Sequence, residues 1–230
     1  MTRPEIAGVP GVPETTLSAD LLAGLPDNLA PAPWDVQCTG LVWHGRGGRA
    51  VRGAFAPALR NSRALASIGG FVRYSDTPVE TYDEVFGLVA SADGVKSWGT
   101  VSFMAVDSEA SLVGGRTNWS MPKTLASFDG EIGSKQTMSG WGDGPVRWRI
   151  EATPTVIGPR IKVRSKMPTR QEFPDGVVRN SHMAARAVIR PAFVRVEVVS
   201  DGPLATWLRP GLHVGAVIES AAFTLSDPCA

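Results

Sequence analysis

The chain has 230 residues, 43% of them apolar and 20% charged, with 23 Lys and Arg set against 22 Asp and Glu. That balance lacks the basic surplus of a nucleic-acid binder. No apolar run is long enough to span a bilayer, so neither nucleic acid nor membrane is an expected partner. Two cysteines, Cys38 and Cys229, imply no disulfide framework, and the N-terminal residues offer no signal-peptide core, so the expected location is cytoplasmic.

Residues 1–33 carry Pro4, Pro10, Pro13, Pro26, Pro31 and Pro33. Such a segment cannot hold a long helix or a central strand. It reads as an arm lying on the surface or on a neighbouring subunit, with one short helix capped by Ser18 and striped by Leu21, Leu22 and Leu25. Residues 34–230 read as a single domain. Within it the dominant period is two: Val146, Trp148 and Ile150 alternate with Arg147, Arg149 and Glu151, and Val194, Val196 and Val198 alternate with Arg195 and Glu197. This alternation predicts strands with one buried and one wet face. Further strands are predicted at 40–43, 71–74, 84–90, 100–106, 155–163 and 216–225, and short helices at 57–66 and 204–208. The fold class expected is mainly β with minor α, in antiparallel sheets closed into a barrel, since closure removes exposed edges. The three histidines, His44, His182 and His213, stand apart in sequence and form no metal-ligand cluster. No metal and no cofactor is expected.

Residues 107–126 carry the chemistry. Trp119, Met121, Lys123 and Leu125 are spaced two apart, and Pro122 biases Met121 toward extended backbone. An extended segment would point Lys123 the same way as its apolar neighbours. Desolvation disfavours the ammonium and lowers the pKa of a fully buried lysine by roughly 3–5 units. A neutral amine attacks a ketone to form an imine, whose protonated form is an electron sink. The competing reading is a lysine whose stem packs on apolar neighbours while its head reaches water.

Asp107, Glu109, Gly115, Arg116, Pro122, Lys123 and Leu125 follow one another at spacings that resemble the acetoacetate decarboxylase family. The likeness covers roughly residues 34–226 and is specific around 116–125. It implies a cone-like closed β-barrel, a homo-oligomer and a Schiff-base lysine at Lys123. The implied reaction needs no cofactor and acts on a small keto acid: decarboxylation of a β-keto acid such as acetoacetate, or a related aldol or dehydration step. Residues 71–84 resemble the family's Tyr-rich strand pair bearing active-site acids. That makes Glu84 and Asp76 the candidate catalytic acids, Glu84 ahead because Asp76 lies in Asp-Thr-Pro turn chemistry. Arg116, Tyr82, Trp119 and Met121 are the candidate substrate-binding residues, with Arg116 also readable as a structural residue that pairs a nearby carboxylate or carbonyl, and Arg46, Arg49, Arg60 and Arg73 are open candidates for holding a carboxylate. Two positions depart from the family pattern. Thr124 stands where a second lysine is usual, and Thr117 where a Glu follows the Gly-Arg pair. They sustain an alternative, a small-ligand-binding barrel without catalysis.

Overall fold

The computed structural model describes residues 3–229; Met1, Thr2 and Ala230, the outermost residues of the arm and domain drawn above, lie outside the described residues. The arm holds α1 (Pro4–Ala7), a 3-10 turn at Pro13–Thr15 and α2 (Ala19–Gly24), with Ser18 Oγ accepting the Leu21 N–H at 3.2 Å as the cap of α2. Its Ile6, Val9, Val12 and Leu25 are buried against the body of the protein. The body runs β1 (Trp34–Arg46), α3 (Arg49–Arg52), β2 (Ala66–Asp76), β3 (Tyr82–Asp93), β4 (Lys96–Val106), α4 (Glu109–Trp119) and β5 (Lys123–Leu125). It continues with β6 (Ser127–Gly130), β7 (Met138–Gly142), β8 (Trp148–Val156), β9 (Ile161–Glu172), β10 (Val178–Ser200), α5 (Leu204–Trp207) and β11 (Gly211–Leu225). The helix expected at 57–66 shrinks to a 3-10 turn at Pro57–Leu59, because Ala66 already opens β2. The strand expected at 155–163 is two strands, broken where Gly158 and Pro159 interrupt the ladder.

The chain is mainly β, but the closed, antiparallel, cone-like barrel expected from the sequence is not what forms. The strands make one mixed sheet in which β11, β1, β2, β3, β4, β9 and β10 follow in order, β10 also pairs β11, and β8, β7 and β6 branch outward from β10. The branch arises because β10 is long: Val178 to Ile189 pair with β9, whereas Ala192 to Ser200, beyond Pro191, pair with β8. Between β4 and β9 the ladder is a single parallel bridge, Gly99 to Thr169. Farther along β4 the pairing passes to β5, again parallel, at Met104–Lys123. The ring therefore has a seam where a barrel would have a continuous ladder.

Strands β1 to β4 are buried on both faces. Leu41, Trp43, Phe71, Val85 and Phe103 face a core shared with Trp148, Ile150, Val194 and Trp207. On the opposite face Val36, Cys38, Val72, Tyr74, Tyr82 and Met104 pack toward α4 and the arm. Two-sided burial accounts for the unbroken buried run along most of β4, where alternation would mark a half-wet strand.

Candidate active site

The segment that delivers Lys123 is a β4–α4–β5 crossover. Ser108 opens α4 by accepting the Ser111 N–H at 3.2 Å, and Ser120 ends it in a left-handed conformation with φ 54. Pro122 follows, and three residues of β5 then run parallel to β4. Parity with Trp119 therefore does not orient the lysine, since Trp119 closes a helix. Instead Lys123 projects beneath α4, where Gly115 leaves room for it: a Cβ on Gly115 would sit 2.6 Å from both Lys123 Cδ and Cε.

Lys123 and Glu84 are 3% and 2% exposed. The Lys123 Nζ donates to Glu84 Oε2 at 2.9 Å and to Ser111 Oγ at 2.8 Å. It also lies 5.1 Å from the centroid of the Tyr82 ring. Tyr74 donates its hydroxyl to Glu84 Oε1 at 3.2 Å and stacks on Tyr82 with ring centroids 4.4 Å apart. Burial alone pulls the Lys123 pKa down, but the Glu84 carboxylate, followed by Tyr82, outweighs it and the net direction is up. This reverses the depression expected from burial in apolar company. The reason is residue-specific, because Glu84 reaches the amine from β3. Burial and then the Glu84 charge push Tyr74 well above the ordinary phenol, so it stays protonated as a donor. Tyr82 is likewise raised by burial, against a downward pull from the Lys123 charge. Cys38, on the same face, is pushed up to about 12 by burial and by Glu84, which makes it an inert thiol.

Of the residues singled out from the sequence, the structure brings together Lys123, Glu84, Tyr82, Trp119 and Met121, all on the wall of one cavity. It does not bring Asp76, which is exposed at the end of β2, accepts from Gln37 Nε2 at 3.0 Å and borders an outer groove with Asp35 and Arg186. Nor is Arg116 available to substrate. Its guanidinium is buried and donates to three backbone carbonyls: Lys123 at 2.6 Å, Ile6 at 2.7 Å and Thr15 at 2.6 Å. Arg116 is a clamp that ties β5 and the arm to α4. Arg73 pairs with Asp83 at 2.8 Å, and none of Arg46, Arg49, Arg60 and Arg73 is on the cavity wall. Sequence reasoning missed Ser111 and Tyr74 as partners of the pair. Ser111 becomes visible only once α4 is known to be a helix. Tyr74 could have been found from its antiparallel partner Tyr82, two residues before Glu84.

The cavity measures about 510 Å³ and lies inside the ring of strands. Lys123 and Glu84 mark its buried end, and its wall reaches His44 and Ser165, which are exposed. Among the described residues no cluster of three or more His, Cys, Asp and Glu is placed to hold a metal ion, and no helix is long and apolar enough to cross a membrane.

No protein-family model matches the chain and no curated protein matches it. Solved structures do. The enduracididine biosynthesis enzyme MppR complexed with pyruvate superposes with a TM-score of 0.65 at 16% identity, over 87% of this chain and 91% of that one. An acetoacetate decarboxylase-like enzyme from Sphingomonas wittichii RW1 gives 0.59 at 13% identity over 87% and 93%. Acetoacetate decarboxylase from Legionella pneumophila subsp. pneumophila str. Philadelphia 1 gives 0.55 at 16% identity over 90% and 92%. At these identities the likeness is one of fold: the chain has the fold of MppR and of acetoacetate decarboxylase-like enzymes.

Proposed function

We propose that the protein is a Schiff-base lyase in which Lys123 condenses with the ketone of a keto acid. The observation that carries this reading is the buried Lys123–Glu84 contact at the closed end of the cavity. The pair shares one proton beyond the carboxylate–amine state. Moving it from Nζ to Glu84 across 2.9 Å gives a free amine beside a carboxylic acid without any change in net charge. Exclusion of water by a bound substrate favours that neutral form, because two charges in an apolar site are costly. The amine then attacks the carbonyl, and protonated Glu84 supplies the proton with which the carbinolamine oxygen leaves as water. The iminium draws in the electron pair released when a β-carboxylate departs as CO₂, leaving an enamine. Protonation at carbon and hydrolysis by water release the ketone and restore the amine. Ser111 and the Tyr74–Glu84 hydrogen bond hold the reacting pair in place. The same iminium serves aldol or dehydration chemistry, and one structural neighbour is MppR complexed with the condensation product of pyruvate and imidazole 4-carboxaldehyde.

Borohydride reduction in the presence of acetoacetate or pyruvate tests the reading. The expected result is a stable mass adduct that maps to Lys123; an adduct at another lysine, or none with any keto acid, refutes it. The second result is what a binding protein without turnover, suggested by Thr117 and Thr124, would give. Assembly as a homo-oligomer is part of the proposal. Phe193 and Val214 are cross-strand partners on the outer face and are 42% and 65% exposed, an apolar pair suited to a subunit contact. The free thiols of Cys38 and Cys229 suit a reducing, cytoplasmic setting.

A further inference from the structure

The wall of the cavity narrows the substrate class, on the premise that Lys123 forms the imine. At about 30 Å³ for a water-sized group, 510 Å³ is room for about seventeen such groups, far more than a four-carbon keto acid fills. From Glu84 to Leu88 on β3 the wall extends about 13 Å, and from Tyr74 to Ile68 on β2 about 20 Å, at about 3.3 Å per strand residue. That length is bounded by Val72, Phe86, Leu88, Ile68 and Ile218. On the β10–β11 side Ala187 faces its cross-strand partner Ala221, and both lie on the wall, which keeps the bore open there. Apart from Lys123, no Lys or Arg among the described residues lines the cavity. Between the reacting end and the mouth at His44 and Ser165, a charged group on the substrate would be desolvated without a counter-charge.

We propose that the substrate is a 3-oxo acid with an extended apolar body, a medium-chain alkyl or aryl group. The body lies along β2 and β3, and the only charged group, the carboxylate, sits at the end that reacts. The balance is R–CO–CH₂–CO₂⁻ plus H⁺ giving R–CO–CH₃ and CO₂, with one water released on imine formation and taken up on hydrolysis. Apolar walls act on the step itself, since the negative charge of the carboxylate disperses as CO₂ leaves.

Two measurements on the unmodified protein separate this proposal from its premise. Release of CO₂ and borohydride trapping are followed across 3-oxobutanoate, 3-oxohexanoate, 3-oxooctanoate, 3-oxodecanoate and 3-oxododecanoate. The expected kcat/KM rises about four-fold per methylene until the bore is full, which is about 0.8 kcal/mol per methylene at 1.4 kcal/mol per decade. A flat series, or one that falls from 3-oxobutanoate, overturns the apolar-tail proposal while an adduct on Lys123 keeps the lysine chemistry standing. Calorimetric binding of secondary alcohols of the same lengths, which cannot form imines, reads the bore alone. The expected signature is affinity and a negative heat-capacity change that both grow with chain length. If the alcohols behave so while no acid gives an adduct, the bore stands and the Schiff-base premise falls. If alcohol affinity is independent of length, the bore proposal falls. Ala187→Phe, or Ala221→Phe if the first does not fold, is expected to move the optimum to shorter acids; an unmoved optimum in the folded variant overturns the placement of the tail.

Discussion

Lys123 and Glu84 form a buried ion pair at 2.9 Å, and this sets what the removal of either does. Truncating one partner of a buried ion pair strands the other charge and costs about 3–5 kcal/mol, whereas replacing both by apolar groups is often neutral or stabilising by about 1–4 kcal/mol. Lys123→Met is therefore expected to lower the melting temperature at pH 7, and the double variant Lys123→Met with Glu84→Met to restore or raise it. Thermal melts of both give the answer; a single variant as stable as the double would mean that Glu84 is not charged beside the lysine. The sign with pH follows from the raised lysine. Its contribution is whole below the ordinary lysine pKa near 10.4 and is lost as pH rises through the raised folded value. The deficit of Lys123→Met should accordingly narrow in alkali. Reactivity separates from stability in Glu84→Gln. With the carboxylate gone, burial is the largest influence left on the amine and drives its pKa down, but no proton acceptor remains at 2.9 Å. Wild-type trapping should be flat across neutral pH, because the proton moves within the pair. Glu84→Gln should show a rate that climbs with pH along the titration of the amine, and turnover lower by about 10²–10⁴-fold. Identical profiles would remove Glu84 from the proton path.

Helix α4 positions this chemistry, and it is the element the sequence concealed. Ser111, Leu112, Val113, Gly114, Gly115, Arg116 and Trp119 are all buried, so the helix lacks the wet face that makes a 3.6-residue period visible. Two adjacent glycines also weaken any helical expectation. They are there for close approach: a Cβ on Gly114 would meet Trp34 Cζ2 at 2.5 Å, and one on Gly115 would meet the lysine stem. Only the Pro-Lys step into β5 is legible in the sequence; the Ser108 cap emerges with the structure. Lys123 is thus marked in the sequence by the family-like spacing, whereas its surroundings are those beneath a helix and not those along an extended strand. Gly115→Ala isolates the positioning role. Alanine gains about 1 kcal/mol of helix propensity over glycine, yet its methyl group forces Cδ and Cε of Lys123 aside. The melting temperature should hold or change little while the rate of adduct formation falls about 100-fold, the scale set by an ångström of misplacement. A loss of stability without a selective loss of trapping would show that Gly115 serves packing alone.

Across the whole molecule, alternation of apolar and polar residues announced most strands, but it could not announce how the ring meets itself. Whether β4 and β9 share a ladder depends on what else occupies the edge of β4, and that edge is taken by β5 at Met104 to Val106. Among the described residues only Gly99 and Thr169 pair across the gap, and next to them a side chain does the work of backbone. Gln171 Oε1 accepts from the Val101 N–H at 2.7 Å and from Thr100 Oγ1 at 2.6 Å, while its Nε2 donates to the carbonyls of Val101 and Ser120, both at 3.1 Å. One amide group thereby satisfies both backbone groups of Val101, whose side chain lines the cavity, and fastens the left-handed end of α4 two residues from Pro122. Nothing in the periodicity of the sequence distinguishes this glutamine from a polar surface residue. Gln171→Leu keeps most of the volume and removes all four hydrogen bonds. At about 1–3 kcal/mol for each buried group left unpaired, partly relieved by relaxation, the expected loss is about 3 kcal/mol. The loss should be local in character, with the Val101 amide exchanging with solvent through a small opening of the seam while amides of the β1–β2 ladder keep their protection. Exchange measured residue by residue decides it. Val101 protection equal to that of the wild type would mean the seam is held by other contacts. Loss of protection confined to Val101 and its neighbours would establish that the cavity wall is closed at this point by a single side chain.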